Sequence, residues 1–155
     1  MLNSETTRKT FSAFVGEHEA RLRHALTARF GLQVGRDAAA DALAYGWEHW
    51  DRVQAMANPT GYLYAVGANR GRRMTERGRV LFPSVPAQRV PWVEPGLSQA
   101  VADLPERQRT VVLLLHGYEW TQREVAEVLD ISKASVQRHA ERAMARLRQD
   151  LGVDQ

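Results

Sequence analysis

The sequence contains no cysteine. Disulfides, thiolate zinc sites and cysteine nucleophiles are therefore excluded, and the composition suits a reducing compartment. No stretch approaches the roughly 20 apolar residues that a membrane span needs, and the first residues lack the apolar segment of a signal peptide. From these absences we expect a soluble protein without membrane insertion, for which the cytoplasm is the default location.

Sequence signatures of catalysis are also missing. There is no glycine-rich loop ending in lysine that would cradle phosphates, no HExxH pair and no convincing Ser/His/Asp arrangement. His18 lies on an apolar helical stripe, where a lone histidine is more often a packing residue than a ligand. We therefore expect a protein that is not an enzyme and that has no metal site and no cofactor.

The charge balance is mildly basic. The chain has 155 residues, with 21 Lys+Arg against 18 Asp+Glu, and a sequence pI near 9.7. This length holds one ordinary domain or two small ones. The basic excess favours a polyanionic partner without proving one.

Hydrophobic periodicity predicts helices and no strand of useful length. Apolar residues recur at three- and four-residue intervals from about 10 to 30, and again from Asp37 to Trp50 after a break. Asn58 and Pro59 match the cap and the first position of a third helix. The pattern predicts an all-α fold.

Four prolines lie between Val80 and Gly96, where they remove helical hydrogen bonds and favour extended chain. We expect two small helical domains, residues 1–79 and 98–155, joined by a Pro-rich linker at residues 80–97. In the second domain, the pattern predicts a short helix at residues 98–103 and another that starts at Pro105.

Residues 121–151 have the pattern of a helix-turn-helix. Thr121 and Glu124 match a capping box, and Ser132 is placed to cap a second helix after a three-residue turn. The amino-terminal end of the second helix of such a motif enters the major groove. Its polar face carries residue types that read bases and phosphates. The candidate DNA-reading residues are Lys133, Ser135, Gln137, Arg138 and Arg142.

An ordinary helical hairpin with a solvated arginine face is the alternative structure. Arginine is also a good helix former, and Glu127 and Glu141 dilute the positive charge. A small Ala126 where the helices cross and a hydrophobic Ile131 in the turn favour the helix-turn-helix.

The stretch from Leu104 to Leu151, including "LPERQR" and "RAMARLR", closely resembles region 4 of bacterial RNA polymerase sigma factors. The resemblance implies that the second helix of the helix-turn-helix binds the minus-35 promoter element. Asp130 departs from the glycine that is usual in the family, although a residue that tolerates positive φ still suits the turn. His139 replaces a residue that is usually apolar.

The first half resembles region 2 of the same family. "RDAAADALAYGWEHWDRV" is similar to the helix that clamps the polymerase core, which implies core-binding roles for Asp37, Asp41 and Trp47. "NPTGYLYAVGANRGRRMTER" is similar to the segment that reads and opens the minus-10 element. This second likeness implies DNA-binding roles for Tyr62, Tyr64, Asn69, Arg70, Arg72, Arg73 and Arg77.

Other interpretations of these minus-10 candidates stay open. The helical spacing of Tyr62 and Tyr64 suits core packing as well as base stacking. The arginines also suit a solvated helix end, where the helix dipole favours cations. Arg73 replaces an acidic residue that is usual in the family, and Gly67 and Gly71 each weaken a helix by about 1 kcal/mol relative to alanine.

The two resemblances together imply a sigma factor of the extracytoplasmic-function group of the sigma-70 family. Such a protein binds the polymerase core, through its beta-prime and beta subunits, and directs promoter recognition and transcription initiation. Promoter DNA is the second implied partner, and an anti-sigma factor is left open as a third. Two alternatives remain: a degenerate sigma-like protein that binds polymerase or an anti-sigma factor, and a stand-alone helix-turn-helix regulator.

Overall fold

The computed structural model describes residues 4–76 and 96–152, and within these ranges the chain is helical without a strand. The predicted all-α fold is confirmed. None of the described helices is both long enough and apolar enough to cross a bilayer. The helices are α1 (Ser4–Phe30), α2 (Leu32–Glu48), α3 (Trp50–Val53), α4 (Pro59–Glu76), α5 (Leu97–Ala102), α6 (Glu106–Val112, continued by a π-helical turn at Leu113–Gly117), α7 (Gln122–Leu129) and α8 (Lys133–Leu151).

The first two helices are longer than their sequence pattern predicts. Helix α2 begins at Leu32 and not at Asp37, so the interruption that we expected across residues 31–37 is confined to Gly31, which has φ 90°. Gly35 does not break the helix. A Cβ atom there would lie 2.4 Å from Thr27 Cα of α1, so the glycine permits close packing of the two helices.

The ends of several other helices also differ slightly from the prediction. Trp50 lies in the separate short helix α3, because the chain turns at His49. Pro105 is the residue before α6 and not its first helical residue. Residues 80–95 of the predicted linker lie outside the described residues. Gly96 and Leu97 are described, and Leu97 is already the first residue of α5.

One apolar core runs through both halves of the chain. It joins Leu26 of α1 and Leu63 of α4 to Leu114 and Val125 of the second half, and each of these side chains is 0 % exposed. A smaller cluster joins α5 and α6 to α8. The helix-turn-helix is therefore packed against the first half of the chain.

Helix α4 crosses α1 at two of its glycines, Gly67 and Gly71. A Cβ atom at Gly67 would lie 2.6 Å from Leu26 Cδ1, and one at Gly71 would lie 2.4 Å from Phe30 Cε2. The glycines lower the intrinsic helix propensity of α4, as expected from the sequence, but they also let it approach α1 closely.

Candidate nucleic-acid interfaces

Local hydrogen bonds define the helix-turn-helix. The Glu124 N–H donates to Thr121 Oγ1 at 3.1 Å, and the Thr121 N–H donates to Glu124 Oε1 at 2.9 Å, which confirms the predicted capping box. Asp130 has φ 55° and ends α7 in the left-handed conformation that glycine usually supplies. Ser132 caps α8 as predicted, since its Oγ accepts from the Ser135 N–H at 3.0 Å.

Glu124 is the acidic member of this capping box. Its carboxylate accepts the Thr121 backbone N–H, and this hydrogen bond is the main cause that lowers the pKa of Glu124 below its usual value. The Thr121 hydroxyl and the nearby Arg21 guanidinium of α1 lower the pKa further. The start of α7 is therefore held by an ionised side chain.

The amino-terminal part of α8 presents polar groups to solvent. Lys133, Gln137, Arg138 and Arg142 are all exposed, and Ser135 is half-buried beneath them. One Arg138 guanidinium N–H donates to Ser135 Oγ at 3.1 Å. Hydrogen-bond donors and acceptors thus lie together on the part of the helix that enters the major groove in helix-turn-helix proteins.

The opposite face of α8 is apolar. Val136 is 0 % exposed in the shared core, and Ala143 and Leu147 pack in the smaller cluster. His139 lies half-buried between the two faces, and its pKa is lowered by burial first and then by the neighbouring arginine charges.

The aromatic DNA-binding candidates of α4 are more buried than the candidates of α8. Asn58 caps it as predicted, because Asn58 Oδ1 accepts from the Gly61 N–H at 3.0 Å. Tyr62 is half-buried, with its hydroxyl 3.2 Å from the Tyr45 hydroxyl. Tyr64 is only 7 % exposed and accepts from Arg29 Nη1 at 3.4 Å, and burial raises its pKa.

The polar candidates of α4 lie towards its carboxyl end. Asn69, Arg72 and Arg73 are exposed, and Arg72 donates to Asn69 Oδ1. Arg70 is half-buried, and Arg77 lies outside the described residues. The structure thus brings four of the minus-10 candidates together on one half of the helix.

The candidate polymerase contacts all lie on α2. Asp37 and Asp41 are half-buried one helical turn apart, on the same face. Trp47 is 46 % exposed, and its ring packs against Phe11 with centroids 5.3 Å apart. Asp41 Oδ2 lies 3.9 Å from Arg70 Nη1, so the α2 and α4 candidates are neighbours.

A cleft of about 590 Å³ lies between α4 and the turn of the helix-turn-helix. Tyr62, Tyr64 and Arg72 line it from α4, Arg29 lines it from α1, and Arg107 lines it from α6. Sequence reasoning missed Arg29 and Arg107 as neighbours of the candidate tyrosines. No local sequence pattern identifies these two arginines, because contacts between distant parts of the chain determine their positions.

Comparison with known proteins agrees with this geometry. Residues 96–147 match the family model for sigma-70, region 4. The structure of the sigma factor RpoE in complex with the anti-sigma factor NepR from Bartonella quintana is similar over 95 % of this chain and 99 % of that one, with a TM-score of 0.63 and 23 % identity. The structure of CnrH in complex with the cytosolic domain of CnrY is similar over 96 % of this chain and 91 % of that one, with a TM-score of 0.60 and 22 % identity. No curated protein sequence matches the chain significantly.

The family match covers α5, α6, α7 and α8 as far as Leu147. It therefore favours a DNA-binding motif over an ordinary helical hairpin. The likeness to RpoE and CnrH extends through the first half of the chain, where it shows the fold. These findings bear out the resemblance seen in the sequence: residues 96–147 match sigma-70 region 4, and the chain has the fold of RpoE and CnrH.

Proposed function

We propose that the chain is a sigma factor that binds RNA polymerase core and directs promoter recognition and transcription initiation. One observation carries the proposal. A sigma-70 region 4 sequence coincides with a capped helix-turn-helix whose second helix exposes lysine, glutamine and arginine side chains at its amino-terminal end. The chain itself performs no reaction in this role, since RNA synthesis belongs to the polymerase.

In this proposal each candidate site has one task. Helix α8 enters the major groove of the minus-35 element, and the reading residues are Lys133, Ser135, Gln137, Arg138 and Arg142. Helix α4 engages the minus-10 element with its polar carboxyl-terminal half. Helix α2 contacts the beta-prime and beta subunits of the core through Asp37, Asp41 and Trp47. The corresponding domains are residues 1–79 and 98–155, with residues 80–97 as the connection.

Electrostatics support the assignment of α4 to DNA. Arg72 and Arg73 are exposed near its carboxyl end, and Arg70 lies one turn away from Arg73. Arginines that neutralise phosphates release counterions, so each phosphate contact makes the logarithm of affinity fall by about 0.9 per tenfold rise in salt. Promoter binding is therefore expected to weaken steeply with ionic strength.

An anti-sigma factor is proposed as a further partner. RpoE was solved in complex with the anti-sigma factor NepR, and CnrH in complex with the cytosolic domain of CnrY. The shared fold supports a similar partner for this chain.

A degenerate sigma-like protein, which binds polymerase or an anti-sigma factor without opening DNA, is the second candidate function. Two observations favour it: Tyr64 is buried and not free to stack on a base, and Arg73 stands where the family usually has an acidic residue. Binding of the full chain to a single-stranded minus-10 oligonucleotide separates the two candidates. An initiator binds the strand, whereas the degenerate protein does not.

Asp41 offers a direct test of the polymerase assignment. Replacing it with lysine is expected to weaken capture of core polymerase about tenfold or more, because a half-buried charge on the proposed contact face is reversed. Affinity for duplex promoter DNA without polymerase should not fall, because the substitution removes a negative charge beside Arg70 of α4. Glu17→Lys, an equal charge change on an exposed part of α1, is the control. Equal capture of core by Asp41→Lys and the unmodified protein would remove α2 from the proposed interface.

A further inference from the structure

The cleft between α4 and the turn of the helix-turn-helix collects positive charge from three helices. Arg29 of α1, Arg72 of α4 and Arg107 of α6 line it, and Asp130 is the one acidic side chain among its described lining residues. Each guanidinium presents several N–H donors in a rigid fork, which matches the oxygen atoms of a phosphate group. The composition of the cleft therefore suits a ligand with several negative charges.

Two of these arginines have no carboxylate partner among the described residues. The Arg107 side chain is exposed and forms neither an ion pair nor a hydrogen bond with any of them. Arg72 donates to Asn69 Oδ1, which is a neutral acceptor. Arg29 differs, because its Nη2 atom lies 2.8 Å from Glu106 Oε1. Two guanidinium charges in the cleft are thus available to a ligand.

The Tyr64 hydroxyl shows where the charges from α1 and α6 meet. It accepts a hydrogen bond from Arg29 Nη1 at 3.4 Å. Burial raises the pKa of Tyr64, and the charges of Arg29 and Arg107 oppose this rise. Both guanidinium groups therefore act on the same part of the cleft, although they lie on different helices.

Other walls of the cleft are small or apolar. Ala65 and Ala68 line it from α4, Ile131 lines it from the turn, and the half-buried Tyr62 contributes an aromatic ring. The volume of about 590 Å³ lies within the range of roughly 300–1,000 Å³ that is usual for small-molecule sites, where apolar walls surround a few polar groups. An aromatic ring beside apolar side chains packs well against a flat nucleobase. The cleft thus offers a place for phosphates and a place for a base.

We propose that the cleft binds a nucleotide with two or more phosphates, whose phosphates contact Arg29, Arg72 and Arg107 and whose base packs against Tyr62 and Ile131. The site combines residues of α1, α4, α6 and the turn after α7, so no single segment of the chain forms it.

A nucleotide in this cleft would cover part of the surface that the proposed function assigns to the minus-10 element. Tyr62 and Arg72 belong both to the cleft lining and to the minus-10 candidates. The nucleotide and single-stranded promoter DNA therefore compete for α4. This competition rests on the proposed function, whereas the nucleotide site rests on the cleft alone.

Isothermal titration calorimetry of the full chain tests the nucleotide site. The probes are ADP, GDP, the nucleosides adenosine and guanosine, and inorganic pyrophosphate. Arg107→Ala is expected to weaken the binding of ADP and GDP about tenfold, because it removes one charge-assisted contact. Arg107→Lys keeps the charge but not the fork, so its affinity should be intermediate. Arg123→Ala, at an exposed position of α7 outside the cleft lining, is the control for net charge and should leave the affinity almost unchanged.

The two nucleotides should bind one per chain, and more tightly than the nucleosides or pyrophosphate. No binding of ADP or GDP at millimolar concentration, or equal affinities of Arg107→Ala and Arg123→Ala, would overturn the site. Nucleosides that bind as tightly as their diphosphates would overturn the phosphate contacts. Pyrophosphate that binds as tightly as the nucleotides would overturn the base contact.

Fluorescence anisotropy of a labelled single-stranded minus-10 oligonucleotide tests the competition. Saturating ADP or GDP should weaken oligonucleotide binding several-fold, and Arg107→Ala should require about tenfold more nucleotide for the same effect. Oligonucleotide binding that is unchanged by saturating nucleotide would overturn the competition. If the chain binds nucleotide but no single-stranded DNA, the minus-10 role in the proposed function fails and the competition fails with it, while the calorimetry upholds the nucleotide site.

Discussion

Helices α4 and α8 are the two helices to which we assign promoter contacts, and they present those contacts in opposite ways. Helix α8 exposes Arg138 and most of its other candidate reading residues, and its apolar face alone packs against the protein. Helix α4 buries Tyr64 and crosses α1 at Gly67 and Gly71, and its exposed polar side chains all lie in its carboxyl-terminal half.

The difference arises because local interactions determine the exposed face of α8, whereas tertiary contacts determine that of α4. The exposed face of α8 is determined by helix caps and by a turn that lie within a dozen residues of the helix. It therefore does not depend on contacts with distant parts of the chain. The face of α4 depends on what α1 and the second half of the chain cover. Substitutions in α4 should therefore change stability first, and substitutions on the exposed face of α8 should change DNA binding first.

The largest expected effect is at the crossing of α4 and α1. Gly71→Ala improves helix propensity, but its Cβ atom would meet the Phe30 ring at 2.4 Å, so we expect the free energy of unfolding to fall by roughly 2–3 kcal/mol. Gly16→Ala is the matched control, because no atom lies within 4 Å of its added Cβ, and it should stabilise by up to about 1 kcal/mol. Urea denaturation measures both. Stabilisation by Gly71→Ala would mean that α4 does not pack against α1 as described.

Arg138→Ala should change DNA binding and leave stability almost unchanged. We expect the preference at one base pair of the minus-35 element to weaken by about 1–3 kcal/mol if the guanidinium binds guanine with two hydrogen bonds, while stability changes little because the side chain is exposed. A panel of single-base promoter variants measures this preference. Arg148→Ala, in the last turn of α8, is the control. Unchanged selectivity for Arg138→Ala would remove this residue from the reading set.

Ser132→Ala tests whether the start of α8 is shaped by its cap. The substitution removes the acceptor of the Ser135 N–H and should lower the free energy of unfolding by about 1 kcal/mol. Ser98→Ala, at an exposed position in α5 with no described cap interaction, serves as the comparison. Equal stability of the two variants would argue against a capping role for Ser132.

A pH effect is the smallest that we expect. Burial, followed by the charges of Arg107, Arg138 and Arg142, lowers the pKa of His139 in the folded chain. Since the unfolded chain then binds the proton more readily, stability should be complete above about pH 6.5 and should fall as the pH drops below it. Thermal unfolding between pH 7.5 and 5.5 measures this slope. His139→Gln should reduce the slope, and the part that remains includes His24, whose pKa burial also lowers.

Sequence reasoning reached the helix-turn-helix residue by residue, because its signals are local. Thr121 with Glu124, Ser132 and Asp130 each act within three residues of their own position. It misjudged the start of α2, because packing against Thr27 of α1 keeps Gly35 helical.

The interpretation of Tyr62 and Tyr64 was beyond sequence reasoning for a similar reason. Both tyrosines have the helical spacing of core residues and the chemistry of stacking residues, and only the position of Arg29 and of the second half of the chain shows that Tyr64 is buried. The pairing of Arg21 with Glu124 joins residues that are 103 positions apart, and no pattern in either segment predicts it.

The most direct measurement of the central claim is in vitro transcription by bacterial core polymerase, with and without this protein, on a library of random promoters. We predict transcripts that depend on the protein and whose templates share a two-part motif, one part for α4 and one for α8. Core binding without transcripts, or selective duplex binding without core binding, would contradict the claim that this chain is a promoter-directing sigma factor.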